Sequence, residues 1–231
     1  MKSKIVVCAL TFIAGGLVAA ESDDVKAAAK KLAGESGYSW KTTVEVPANS
    51  RFRPGPTEGK TEKDGYTKLS MTFGDNSSEA FLKGGKGAAK VEGEWRSLSD
   101  LDDGQQGPGM FMARFLRGFK APAADVEEIA GKTKELKKDG DAYAGDLTDE
   151  GAKSLILFGR RAGGGASASK ASGSVKFWVK DGQLAKYQYK VQGTVTFNGE
   201  DREVERTTTV EIKDVGTTKV EVPDEAKKKI S

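Results

Sequence analysis

Residues 174–199 read SVKFWVKDGQLAKYQYKVQGTVTFNG, and this stretch decides the fold class. Val175, Phe177 and Val179 alternate with polar neighbours up to Asp181-Gly182. Ala185, Tyr187, Tyr189, Val191, Gly193, Val195 and Phe197 then alternate up to Asn198-Gly199. A period of two is that of a strand with one buried face, and Asp-Gly and Asn-Gly favour the tight turns that join antiparallel neighbours. A third strand carries Val204, Arg206, Thr208, Val210 and Ile212 on one face, and a fourth is expected at Thr218 to Val222, before Pro223 and a short basic terminal helix. Long antiparallel strands twist and coil, so the sheet is expected to curve strongly, with Gly193 as the place of a bend.

Working towards the N-terminus, Arg160 to Gly173 are mostly Gly, Ala and Ser and read as a mobile loop. Thr148 is placed to cap a helix running to Phe158, and 132–138 with 142–147 read as a short hairpin. Ala121 to Ala130 add a helical turn or two, after a helix in which Phe111, Met112, Phe115, Leu116 and Phe119 form a wide apolar stripe. Asp100 to Gly109 read as a loop; Leu69, Met71 and Phe73 alternate in a strand, as do Tyr38, Trp40, Thr42, Val44 and Val46. Ser22 is expected to cap a first helix that ends at Gly34.

The first 20 residues read as a signal peptide. Lys2 and Lys4 precede an apolar run from Ile5 to Val18, and Val18 and Ala20 supply the small residues needed before a cleavage point after Ala20. The run is too short and too interrupted for a membrane span. Cys8 lies inside it rather than at the cleavage point, so no lipid anchor is expected, nor any integral span after cleavage. The expected mature chain, 21–231, is a single domain exported to a periplasm or the extracellular space.

Composition excludes much chemistry. The sequence has no histidine and, past Cys8, no cysteine, which removes imidazole bases, thiolate nucleophiles, disulfides and the usual zinc or copper ligands. Without residues 1–20 there are 35 basic and 34 acidic side chains, a net charge of +1, which gives no electrostatic case for nucleic acid. Gly164 to Lys170 lack the second glycine and the hydroxyl residue of a phosphate loop, and Asp100, Asp102 and Asp103 lack the spaced glycine and terminal glutamate of a calcium loop. No cofactor and no metal are expected.

The order of parts carries a resemblance. A helix, a strand opening Tyr38-Ser39-Trp40, a Gly93-Glu94-Trp95 hairpin, mid-chain helices, then Phe177-Trp178-Val179-Lys180-Asp181-Gly182-Gln183-Leu184 and Asp214-Val215-Gly216 before Val222-Pro223 resemble the periplasmic lipoprotein carriers and mycobacterial lipid-binding lipoproteins of the LolA and LppX group. The resemblance implies a mainly β, α+β fold in which a strongly curved antiparallel sheet forms a half-open barrel with a few helices over its hollow. It also implies a non-enzymatic carrier whose partner is a lipid or an acylated protein. The chain departs from the lipoprotein members in lacking a cysteine at the cleavage point.

On this reading Trp40, Leu69, Met71, Phe73, Phe111, Phe115, Phe177, Tyr187, Tyr189 and Arg206 are the candidates to line the cavity. Each large apolar residue among them serves equally well as core. Arg206 shares a face with Val204, Val210 and Ile212, where an arginine needs an internal partner or an anionic head group. Two other readings stay open: an envelope structural or protein-interaction module with a filled core, and a hydrolase built on two converging carboxylates with perturbed pKa values.

Overall fold

The two turn dipeptides take the backbone that their composition favours: Asp181 and Gly182 lie at φ +52° and +71°, Asn198 and Gly199 at +53° and +80°. They join β9 (Ala166–Lys180), β10 (Gln183–Phe197) and β11 (Glu200–Lys213) into an antiparallel meander of 15, 15 and 14 residues. The computed structural model describes residues 16–50, 53–73, 76–102, 108–157 and 166–230. Its other strands are β1 (Gly37–Glu45), β2 (Thr57–Glu62), β3 (Thr67–Phe73), β4 (Asn76–Lys83), β5 (Lys86–Val91), β6 (Glu94–Ser97), β7 (Lys137–Asp139) and β8 (Ala142–Asp146). All eleven form one antiparallel sheet in the order β6-β5-β4-β3-β2-β1-β11-β10-β9-β8-β7. The edge strands β6 and β7 do not meet, so the sheet curves without closing.

Gly193 sits at a register shift, as expected of the bend. Gln192 pairs with Ser172 and Thr194 with Ser169, so two residues of β9, Lys170 and Ala171, oppose the single Gly193. Lys170 takes φ +49°, the conformation of a bulge, which increases the local twist. The start of β9 corrects the loop expected at 160–173: from Ala166 onward the chain is a strand paired with β10, while the remainder of that stretch, 158–165, lies outside the described residues. Small side chains weaken intrinsic strand preference, but the ladder offered by β10 overrides it.

A strand at 218–222 is also absent. Both edges of β11 are taken, one by β10 and the other by β1, so no place remains beside it. The chain instead turns at Asp214 (φ +51°) and Gly216 (φ +82°), where the Gly216 amide donates to the Gly37 carbonyl at 2.7 Å.

Six helices lie among the described residues: α1 (Gly16–Gly34), α2 (Leu98–Asp102), α3 (Pro108–Gly118), α4 (Pro122–Gly131), α5 (Asp149–Ile156) and α6 (Asp224–Ile230). Ser22 lies within α1 and does not cap it, whereas Gly34 ends it as expected. Thr148 caps α5, its hydroxyl accepting from the Gly151 amide at 3.0 Å. Part of the loop expected from Asp100 is the end of α2, held by Leu98 and Leu101, which are buried.

Alternation along each strand gives the sheet two faces. One row across the concave face runs Ile212, Trp40, Gly59, Leu69, Ala80, Ala89 through direct register partners from β11 to β5. A second runs Phe177, Tyr187, Val210, Thr42, Thr57, Met71 from β9 to β3. Helices α1 to α5 bury Val25, Leu32, Leu101, Met112, Leu116, Val126, Ile129, Leu155 and Ile156 in the same core as these rows. The opposite face is covered at β4 to β6 by α6, where Ala226 and Ile230 join Phe81, Ala88 and Trp95.

Candidate functional site

The concave face of the sheet is the hollow that the sequence implies, and it is filled. Trp40, Leu69, Met71, Phe177 and Tyr187 are buried to 3 % exposure or less, and Tyr189 to 9 %. Phe115 is partly buried on the edge of the same core. An aromatic ladder binds α3 to the sheet: the Trp40 ring stacks on Phe119 at 6.0 Å between centroids, Tyr38 packs on Trp40 at 5.7 Å, and Phe115 on Phe119 at 6.3 Å. Phe111 departs from the expected lining, for it is 54 % exposed on the outer face of α3. Phe73 ends β3, and its side chain lies outside the described residues.

Arg206 has an internal partner. Its guanidinium donates to the Leu155 carbonyl at the end of α5, where the last carbonyls of a helix lack partners of their own and favour a cation. On the neighbouring strand Tyr187 donates its hydroxyl to the Asp125 carboxylate at 2.7 Å, which ties β10 to α4.

Asp125 lines a cavity of about 120 Å³ between α4 and α5. Its polar wall is Lys120, Asp125, Glu128, Lys132 and Ser154, and its apolar wall Ile129, Leu147 and Leu155. Both oxygens of Glu128 are engaged, Oε2 by Lys120 and Oε1 by Lys132 at 2.8 Å, and Lys132 also donates to Ser154 Oγ at 3.2 Å. Hydrogen bonds from Lys120 and Lys132 hold the Glu128 pKa below the ordinary value. Burial pushes Asp125 up to about 6, against the Tyr187 hydrogen bond that lowers it. Burial likewise raises the phenols around it, Tyr38 to about 12 and both Tyr187 and Tyr189 upward.

The two neighbouring carboxyls of Asp125 and Glu128 thus have perturbed pKa values in opposite directions, the signature that a carboxylate hydrolase requires. Glu128 is locked between two ammonium groups and Asp125 is turned onto a phenol. Among the described residues no cluster of three acids or other ligands is placed to hold a metal ion.

Sequence reasoning missed this pocket. Its signal was the spacing of Asp125, Glu128 and Lys132, which three- and four-residue steps put on one face of a helix. The contribution of Lys120, Leu147 and Ser154 had no such signal, since it depends on how α5 docks beside α4.

Comparison with solved structures gives a likeness of fold. The chain is similar to the lipoprotein LppX of Mycobacterium tuberculosis, at 9 % identity and a TM-score of 0.47, over 87 % of this chain and 98 % of that one. It is similar to LprF of Mycobacterium bovis, at 11 % identity and a TM-score of 0.46, over 90 % and 98 %. A LolA superfamily protein of Nitrosomonas europaea follows at 9 % identity and a TM-score of 0.36, over 88 % and 95 %. No family model and no curated protein matches the sequence.

Proposed function

We propose that the chain is an exported, non-catalytic binding protein that takes a lipid or the acyl chain of a lipoprotein between the concave face of its sheet and the helices lying on it. One observation carries this reading: β1, β3 to β5 and β9 to β11 contribute apolar side chains to the core on the concave face, and that face is covered by separate short helices and not by a second sheet. A second sheet would part only as a whole, losing its entire interface, whereas a helix of 8 to 19 residues shifts with the loss of its own contacts alone. Each methylene then buried contributes roughly 0.8 kcal/mol.

The cavity of about 120 Å³ is smaller than the ~150 Å³ that accepts a benzene ring. Loading on this reading requires helices to move away from the sheet. Export rests on residues 1–20, of which 1–15 lie outside the described residues. No helix among the described residues is long and apolar enough to cross a membrane.

Native mass spectrometry of the protein purified from its own host, followed by solvent extraction, tests the reading. Co-purifying lipid at a fixed ratio, on a chain beginning at Glu21, supports it. The filled core favours a second reading, a structural or protein-interaction module of the envelope. A clean apo mass that persists after incubation with lipids and acylated peptides would establish that module in place of the carrier.

A further inference from the structure

The pocket between α4 and α5 has a chemical asymmetry that a filler of the core does not need. Two ammonium groups, Lys120 and Lys132, converge on the one carboxylate of Glu128, and the next acid, Asp125, faces a phenol. An ammonium has three donors. Of the six on these two lysines, three are engaged by Glu128 and Ser154 among the described residues, so donors remain for a further acceptor. The pocket is also lined by Ile129, Leu147 and Leu155, which belong to the apolar core.

We propose that this pocket seats the anionic head of the ligand, a carboxylate or a phosphate, on Lys120 and Lys132, with its apolar chain directed along Leu155 into the hollow. The inference rests on the carrier reading and gives it a ligand class. An anion at this place meets charge-assisted donors, which are shorter and stronger than neutral ones. A neutral head of the same size gains no such contact. The volume of about 120 Å³ equals some four waters at ~30 Å³ each, enough for a head group and the first carbons of its chain. Glu128 keeps both cations together in the pocket.

The test compares dodecanoate, dodecyl phosphate and dodecanol as probes, by calorimetric titration of the exported protein at pH 7.5 and low salt. At least one of the two anions is expected to bind tenfold or more tightly than the alcohol, and which one identifies the head group. This preference is expected to vanish in Lys120→Met/Lys132→Met and to survive in Lys176→Met, a substitution on the outer face. Lys132→Met alone, expected to lose most of the preference, serves if the double variant does not fold. Equal affinities for anions and alcohol overturn the head-group site and leave the carrier intact. Binding of none of the three overturns both. A preference that persists in the folded lysine variants overturns the assignment to these lysines.

Discussion

The indole of Trp40 lies across the backbone of Gly59 on the neighbouring strand, so that a Cβ at residue 59 would stand 2.0 Å from ring atom Cζ2. Ring and glycine form one fitted pair on the concave face, and Phe119 stacks on the same ring. Gly59→Ala must therefore displace the ring. It is expected to cost about 1 to 3 kcal/mol of unfolding free energy, the range for overpacked cores. Denaturant unfolding measures it, and an unchanged midpoint would show that Trp40 has room to turn.

Phe177 and Phe111 separate core from surface. Phe177 is fully buried, and Phe177→Ala is expected to cost about 3 to 5 kcal/mol. Phe111→Ala, on a side chain more than half exposed, is expected to cost less than about 1 kcal/mol. Thermal melts of the two variants decide this; comparable losses would place Phe111 in the core.

Arg206→Ala removes the donor to the Leu155 carbonyl. A lost hydrogen bond to a charged group predicts a destabilisation of about 1.5 to 3 kcal/mol. The amount of lipid per folded molecule is expected to stay the same, because the guanidinium is committed to α5. Reduced loading in a folded Arg206→Ala protein would instead assign the head group to Arg206.

Asp125 makes stability depend on pH in an unusual sense. Its folded pKa of about 6 lies above the ordinary 3.8, so between these values the folded state holds a proton that the unfolded chain has lost. Its contribution is therefore greatest at low pH and declines as pH rises from about 4 to 6, then stays level. The decline amounts to at most about 3 kcal/mol at 1.36 kcal/mol per unit. Asp125→Asn keeps an acceptor for Tyr187 and removes the titration. The stability of the variant relative to the original is expected to grow from pH 4 to pH 7, and a difference constant across that range would contradict the assignment.

The sequence by itself determined the parts that depend on local chemistry. Alternation gives β9 its buried Val175 and Phe177 and β10 its buried face from Tyr187 to Val195, whereas Ala185 and Phe197 are exposed and an irregularity between Leu184 and Lys186 buries Leu184 instead. Asp181-Gly182 and Asn198-Gly199 supply the positive φ angles of the two hairpins. Thr148 as a cap and Gly193 as the site of the bend were legible for the same reason, since each needs only its own neighbours. The tertiary structure decided what depends on distant partners. Residues 166–173 become a strand because β10 offers them a ladder, and 218–222 fail to become one because β1 already occupies the edge of β11. It alone filled the hollow and brought Lys120 and Ser154 to one pocket, for helix docking is fixed by packing of side chains far apart in sequence, which no local pattern records.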